Sequence, residues 1–235
     1  MLPKLQLRLY WRDLLDLFYP NLCSSCNGQL VGNEEVICTK CRAELPRTQS
    51  HELLNPALGE KFAGKVDVHH VYSFLKFEKG GGVQRMLHQL KYGNRPEVGN
   101  VLGRIYGYEL QKQGLHHEFV QIIPIPLHPR KLAQRGYNQS DRFAEGLSES
   151  MGVEWSPEIL KREKFTATQT HKTRLERFEN VSGIFEVIQP EKVKDRRIAL
   201  VDDIVTTGST LESAIIALQQ NDAKDVSVLT IAEAY

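Results

Sequence analysis

The sequence has no long uninterrupted apolar run. Residues 1–20 are rich in leucine, but Lys4, Arg8, Arg12, Asp13 and Asp16 break them up and no small-residue cleavage site follows. A secretory signal or a membrane span is therefore not expected, and the expected location is cytoplasmic. Leu14, Leu15, Leu17 and Phe18 read instead as one face of a short amphipathic helix packed on the protein itself, a membrane-surface role being the alternative. An excess of one charge is also missing: 30 Lys and Arg against 29 Asp and Glu leave a net charge of +1. No global field draws this chain to nucleic acid, so only local clusters can do so. Internal repeats and low-complexity tracts are absent. His69, His70, His88, His116, His117 and His171 show no metal-ligand spacing with carboxylates.

Cysteine is scarce but not scattered. All four, Cys23, Cys26, Cys38 and Cys41, form two Cys-x-x-Cys pairs separated by eleven residues. Each pair suits a knuckle that points two sulfurs at one ion, and the spacer suits a short hairpin holding Gly28 and Gly32. Four thiolates in a tetrahedron are the expected shell of structural Zn2+, with no open position for catalysis. Two disulfides would need an oxidising compartment, and a redox pair would leave the second pair unexplained. A segment this small should need its metal in order to fold.

At 235 residues, with 41% hydrophobic and 25% charged content, the chain has room for one α/β domain and a smaller module. The expected organisation is an N-terminal helix over 1–20, a zinc module over 21–46, a linker over 47–66 and the main domain over 67–235. The main domain should contain strands over 68–77, 119–125, 197–201 and 226–233, with helices over 83–90, from 139 to about 149, and after Thr210.

The most informative segment is 196–210. A short apolar run, Ile198 to Val201, reads as a buried parallel strand and stops at the carboxylates Asp202 and Asp203. Thr206, Thr207, Gly208, Ser209 and Thr210 follow, and then the helical pattern of Leu211, Ala214, Ile215 and Leu218. In an open α/β sheet, ligands sit outside the carboxyl ends of the strands. A helix N-terminus there offers N–H groups to an anion. The aspartates would repel a phosphate and so must face sugar hydroxyls or a cation. A phosphate beside a polyol describes a ribose 5-phosphate. An ordinary strand–loop–helix with capping side chains is the alternative.

A second strand ends in Pro124 and Pro126. It leads to Arg130, Lys131 and Arg135, a cluster able to clamp a pyrophosphate, although a solvated basic face explains these charges equally well.

Segment 196–210 resembles the phosphoribosyl-pyrophosphate (PRPP) signature of type I phosphoribosyltransferases. The resemblance implies that Asp202 and Asp203 bind the ribose hydroxyls and that Thr206 to Thr210 cradle the 5-phosphate. Pro124, Pro126, Arg130 and Arg135-Gly136-Tyr137-Asn138-Gln139 are similar to the hallmark of the ComF competence family. So are Leu90-Lys91-Tyr92-Gly93 upstream, and Gln169, Arg174, Arg177, Asn180, Gly183 and Phe185 downstream. With the cysteines and the PRPP signature, this likeness spans nearly the whole chain.

The fold implied is a mainly parallel five-stranded sheet with helices on both faces, carrying the zinc knuckle. The activity implied is transfer of phosphoribosyl to a nitrogen nucleophile with release of pyrophosphate. Mg2+ would accompany PRPP, and Arg130, Lys131 and Arg135 would hold the leaving group. Lys91 would act from a closing loop, and Asp203 would stabilise the ribosyl cation. Residues 155–164 are the region expected to recognise the acceptor. The biological role implied is natural transformation, with single-stranded DNA, a competence helicase or other DNA-processing proteins as partners. Basic clusters at 128–142 and 161–177 (Lys164, His171, Lys172, Arg174), with Tyr92, Tyr137, Phe165 and Phe178 as stacking platforms, suit a single strand. The competing reading is a non-catalytic module that senses PRPP or a nucleotide and holds DNA or a partner protein.

Overall fold

The computed structural model describes residues 20–52, 56–162 and 184–234. Residues 1–19 of the helix expected over 1–20 and the basic residues Lys164, His171, Lys172 and Arg174 lie outside them, as do Phe165 and Phe178.

Four strands, β1 (Val71–Lys76), β2 (Gln121–Pro124), β5 (Arg197–Val205) and β6 (Asp225–Glu233), form one sheet in the order β1-β6-β5-β2. Every pairing in it is parallel. Helices α3 (Gly82–Tyr92), α4 (Glu97–Lys112) and α6 (Gln139–Met151) lie on one face around Phe74, Leu90, Leu102, Tyr106, Phe143 and Leu147. Helix α7 (Ser209–Gln219) covers the other with Leu211, Ile215 and Leu218, packed on Ile198, Leu200, Val226 and Val228. Strands buried on both faces explain the near-continuous apolar runs read from the sequence.

The fold class is as expected, but the strand count is four among the described residues. On the β2 edge a further parallel position exists as a single bridge between Ile122 and Trp155. Glu154 accepts from the Ile122 N–H, and the Ser156 N–H donates to Ile122, before Pro157 ends the pairing. A separate two-stranded ribbon joins β3 (Leu160–Arg162) to β4 (Phe185–Val187).

Strand β5 also does not stop at the acid pair. Its register with β6 continues through Asp202↔Thr230 to Val205↔Glu233, whereas its pairing with β2 ends at Pro124↔Val201. One neighbour therefore runs on while the other ends, and the two aspartates stand at the mouth of the gap this leaves.

The segment expected as an irregular linker is integrated into the fold. Residues 46–50 run antiparallel along the free edge of β1, with the Lys76 N–H on Pro46 and the Thr48 N–H on Phe74. Ser50 Oγ accepts from the Ser73 N–H at 2.8 Å. An unpaired sheet edge is thereby covered. Short helix α2 (Pro56–Glu60) follows, and Leu58 and Phe62 are buried in the α7-side core.

The cysteine module, with its short helix α1 (Thr39–Ala43), docks on α3 and α4. Its Cys23, Leu30, Val36, Ile37 and Leu45 belong to the same apolar cluster as Leu90 and Leu102. Arg85 of α3 donates to the Ser25 carbonyl, and Arg95 Nη1 to the Leu22 carbonyl at 2.9 Å.

Candidate functional site: a carboxylate pair beside an anion loop

Gly208 makes the turn from β5 into α7. Its φ of +81° is the left-handed region in which a side chain is strained, and a Cβ there would stand 3.1 Å from Phe62 Cε1. As N-cap of α7 it offers no side chain, so the first-turn N–H groups of that helix face outward. The concavity at this turn, about 40 Å3, is lined by Asp202, Thr206, Thr207, Gly208, Ser209, Thr210 and Leu211 among others. The Thr207 and Ser209 hydroxyls lie 3.1 Å apart at its rim. Small residues, outward N–H groups and hydroxyls together make an anion cradle of phosphate size.

Asp203 is buried and Asp202 half-buried beside it. Lys91 Nζ donates to Asp203 Oδ1 at 2.9 Å. Asp202 Oδ1 accepts from Ser140 Oγ at 3.0 Å and from the Asp203 N–H at 2.8 Å. Burial, then the charge on Asp203, push the Asp202 carboxyl up to about 7, against the pull of these two hydrogen bonds and of Lys91. Lys91 neutralises one carboxylate of the pair. The residual negative charge faces the open end of the sheet, where sugar hydroxyls or a cation would relieve it.

Lys91 sits in the last turn of α3, not on a loop after it. Arg130, Lys131 and Arg135 likewise lie on a helix, α5 (Pro129–Arg135), because Pro129 fits its first turn and His128 Nδ1 caps the Arg130 N–H. Lys131 and Arg135 line a cavity of about 490 Å3 with Lys91, Tyr92, Asn94 and Gln134. Arg130 is exposed on the same helix and is not part of that lining. Trp155 packs against the sheet core, and 160–162 form β3; neither lines this cavity.

The Arg-Gly-Tyr-Asn-Gln run is a clamp around the site. Gly136 ends α5 at φ +82°. The Tyr137 hydroxyl donates to the Leu90 carbonyl, one residue before Lys91. Asn138 caps α6 through the Ser140 N–H and donates 2.9 Å to the Ile125 carbonyl where the chain leaves β2. Arg135 donates to Gln139 Oε1. Tyr137 is thus buried, which removes it as a stacking platform; of the two platforms among the described residues, Tyr92 is the exposed one.

Three residues at the site carried no local signal in the sequence. Ser140 reaches Asp202 from α6. Phe62 fills the space under Gly208, and Lys61 Nζ donates to the Thr206 carbonyl at 2.6 Å and to that of Ala234 at 3.1 Å. Lys61 thereby ties the first carbonyl of the anion loop to the end of β6. Lys61→Met should weaken ribose 5-phosphate binding about tenfold by calorimetry, with a melting temperature close to that of the parent. Unchanged affinity would mean the loop holds its shape alone.

The four cysteine Sγ atoms all lie within 4.8 Å of one another. All four are free thiols, and Cys26 Sγ and Cys38 Sγ are 3.9 Å apart. A tetrahedral zinc shell with bonds of about 2.3 Å has sulfurs about 3.8 Å apart, whereas a disulfide needs about 2.05 Å. Backbone N–H groups point at the sulfurs, from Cys38 to Cys23 at 3.3 Å and from Gly28 to Cys26 at 3.4 Å. The arrangement can hold a metal such as zinc.

Comparison with known proteins agrees with this geometry. The phosphoribosyl transferase domain family matches residues 139–234, which include the acid pair and the anion loop. Competence protein F of Haemophilus influenzae is 26% identical over 230 residues, 96% of each chain. The DNA utilization protein YhgH of Escherichia coli K12 is 30% identical over 223 residues, 91% of each chain. The chain belongs to the ComF family. Another ComF relative, competence protein ComFC of Streptococcus pneumoniae, is 31% identical over 131 residues, 56% of each chain. Among solved structures, the allosteric regulatory enzyme of purine biosynthesis overlays with a TM-score of 0.43 at 17% identity, over 61% of this chain and 29% of its own. No helix among the described residues is long and apolar enough to cross a membrane.

Proposed function

We propose that this ComF-type protein binds Mg-PRPP and transfers its phosphoribosyl group to a nitrogen nucleophile. Asp202 and Asp203 accept the ribose hydroxyls, and Thr206 to Thr210 hold the 5-phosphate. Lys91, Lys131 and Arg135 face the pyrophosphate, with Arg130 adding charge at the rim. The observation that carries the reading is the acid pair standing past the end of β2, beside the N-terminus of α7. The Asp202 carboxyl, pushed up by burial and then by its neighbour's charge, fits a ligand that brings hydroxyls and a cation. Mg2+ bound with PRPP would supply charge neutralisation of the pyrophosphate. In the transfer, the acceptor nitrogen's lone pair forms the bond to C1′ as the C1′–O bond breaks. The electron pair leaves with pyrophosphate, and the acceptor's proton passes to solvent. Asp203, held by Lys91, would stabilise the positive charge that develops on the ribosyl group.

The test is Mg-PRPP with a panel of nitrogen nucleophiles, measuring pyrophosphate. Release that depends on the acceptor supports transfer. Tight PRPP binding without release on any acceptor identifies the site as a sensor and sinks the enzyme reading.

The biological setting proposed is natural competence in the cytoplasm, supported by the names of Competence protein F and ComFC. Tyr92 beside Lys131 and Arg135 suits contact with single-stranded DNA.

The metal proposed for the cysteine cluster is zinc, bound structurally. One zinc per chain is expected by elemental analysis. Cys23→Ser should remove it and lower the melting temperature by roughly 5–10 °C, because Cys23 is also part of the core under α3. A metal-free parent protein of equal stability would refute the assignment.

A further inference from the structure

A cavity of about 580 Å3, larger than the one beside Lys91, lies between the cysteine module and α4. Its floor is a stripe of α4, where Val101, Arg104, Ile105 and Tyr108 recur at i, i+3, i+4 and i+7. The other sides of this helix are taken, Gly99, Gly103 and Gly107 by α6, and Leu102 and Tyr106 by the core. Val31, Val36 and Ile37 of the module make the facing wall, and Arg104 Nη2 reaches Glu35 Oε2 of that wall at 3.2 Å. Val31 is 67% and Tyr108 53% exposed, so each side of the groove leaves one large apolar side chain in water. An apolar groove along a helix suits a second helix laid beside it.

The chain itself supplies such a segment. Leu7, Trp11, Leu14 and Phe18 recur at i, i+4, i+7 and i+11, the spacing that puts four apolar side chains on one side of a helix. Val101, Ile105 and Tyr108 of the groove floor repeat the first three steps of that spacing. The segment also arrives at the groove. Leu22 pairs antiparallel with Gln29, and the Asn21 carbonyl accepts from the Leu30 N–H at 2.8 Å. The chain therefore enters the module beside Val31, at the rim. We propose that residues 7–18 lie in this groove as a helix, with Leu7, Trp11, Leu14 and Phe18 against Val31, Ile105 and Tyr108. A separate partner would have to displace a segment tethered at the rim, whose effective concentration is on the order of millimolar. So placed, the segment straps the cysteine module to α4.

The test is limited trypsin digestion of the full chain, with cleavage after Arg8 followed by mass spectrometry. Cleavage there needs the segment to leave the groove, so its rate reads the undocked fraction. Val31→Asp with Tyr108→Asp should speed it by at least about tenfold. The chain should stay folded by circular dichroism, because both side chains are exposed. Trp11→Asp should accelerate cleavage equally, from the other side of the contact. The two changes combined should be no faster than either alone, since a single contact is lost only once. Ile188→Asp, at an exposed apolar residue just after β4, should leave the rate unchanged. Fluorescence gives an independent reading: the difference between the parent and Trp11→Phe isolates the emission of Trp11, which should shift to the red in the groove variant. Cleavage of the parent as fast as that of the groove variant would overturn the proposal. Protection that grows with protein concentration would also overturn it, by placing the segment on a second copy. So would additive acceleration by the two changes, or an equal effect of Ile188→Asp.

Discussion

Replacing Asp202 and Asp203 together by asparagine should weaken Mg-PRPP binding by about a hundredfold or more, while the protein remains folded. Each carboxylate that accepts a ribose hydroxyl makes a charge-assisted hydrogen bond, worth roughly 1.5–3 kcal/mol, and two such losses compound. The folded state should not suffer, because the pair is mutually repulsive without ligand. Asp202 is raised to about 7 by burial and by Asp203, so the folded state holds this proton more tightly than the unfolded chain does. Its ionisation therefore erodes stability as pH climbs from about 4, the unfolded value, to about 7, and the full cost is present above 7. Asp202→Asn alone should accordingly raise the melting temperature at pH 8 by about 3 °C and change it little at pH 4. PRPP affinity in the parent should move the other way, strengthening from pH 6 to 8 as Asp202 ionises and can accept from the sugar. A double variant that still binds PRPP, or a parent whose affinity is flat across that range, would remove the acid pair from the site.

The parts legible in the sequence were those whose chemistry is contiguous. Strand β5, the acid pair, Thr206 to Thr210 and α7 follow one another along the chain, so composition and period place them without knowledge of neighbours. The cysteine pairs are legible for the same reason. What escaped is contact between distant segments. Lys61 reaches Thr206, and Phe62 lies under Gly208, but neither has a periodic pattern, and the surrounding Pro56, Gly59 and Gly64 suggest a linker. Residues 46–50 cover the β1 edge by backbone pairing, which any side chains can do. Tyr137 beside Arg135 looks like a stacking pair in one dimension; in three, its ring turns inward to tie off α3. The full extent of β5 is not legible because carboxylates are poor strand formers, yet the ladder to β6 carries the chain four residues beyond Val201.

Helix α6 carries Ser140 to Asp202, and its depth is fixed by glycines, so Gly146→Val should cost roughly 3–5 kcal/mol or prevent folding. Helices α4 and α6 cross so closely that a Cβ on Gly146 would collide with the Asn100 carbonyl oxygen and stand 2.8 Å from Arg104 N. A Cβ on Gly103 would meet the Phe143 carbonyl and lie 2.9 Å from Leu147 N. Gly99 and Gly107, one turn away on either side, are similarly hemmed in. All three α4 glycines face α6, and the atoms opposing Gly146 and Gly103 are backbone, which cannot rotate aside, so the helices must separate. Separation would open the core at Tyr106, Phe143 and Leu147 and draw Ser140 away from Asp202. At about 2–4 °C per kcal/mol for a chain of this size, the melting temperature should fall by roughly 10 °C. Gly59→Ala is the control: α2 has open space around Gly59, and alanine there should be neutral or stabilising by about 0.5–1 kcal/mol. Gly146→Ala should fall between, because even one methyl meets the Asn100 carbonyl. If Gly146→Ala melts with the parent, the crossing is looser than these contacts require, and the hold of α6 on the acid pair must come from the Asn138 clamp alone.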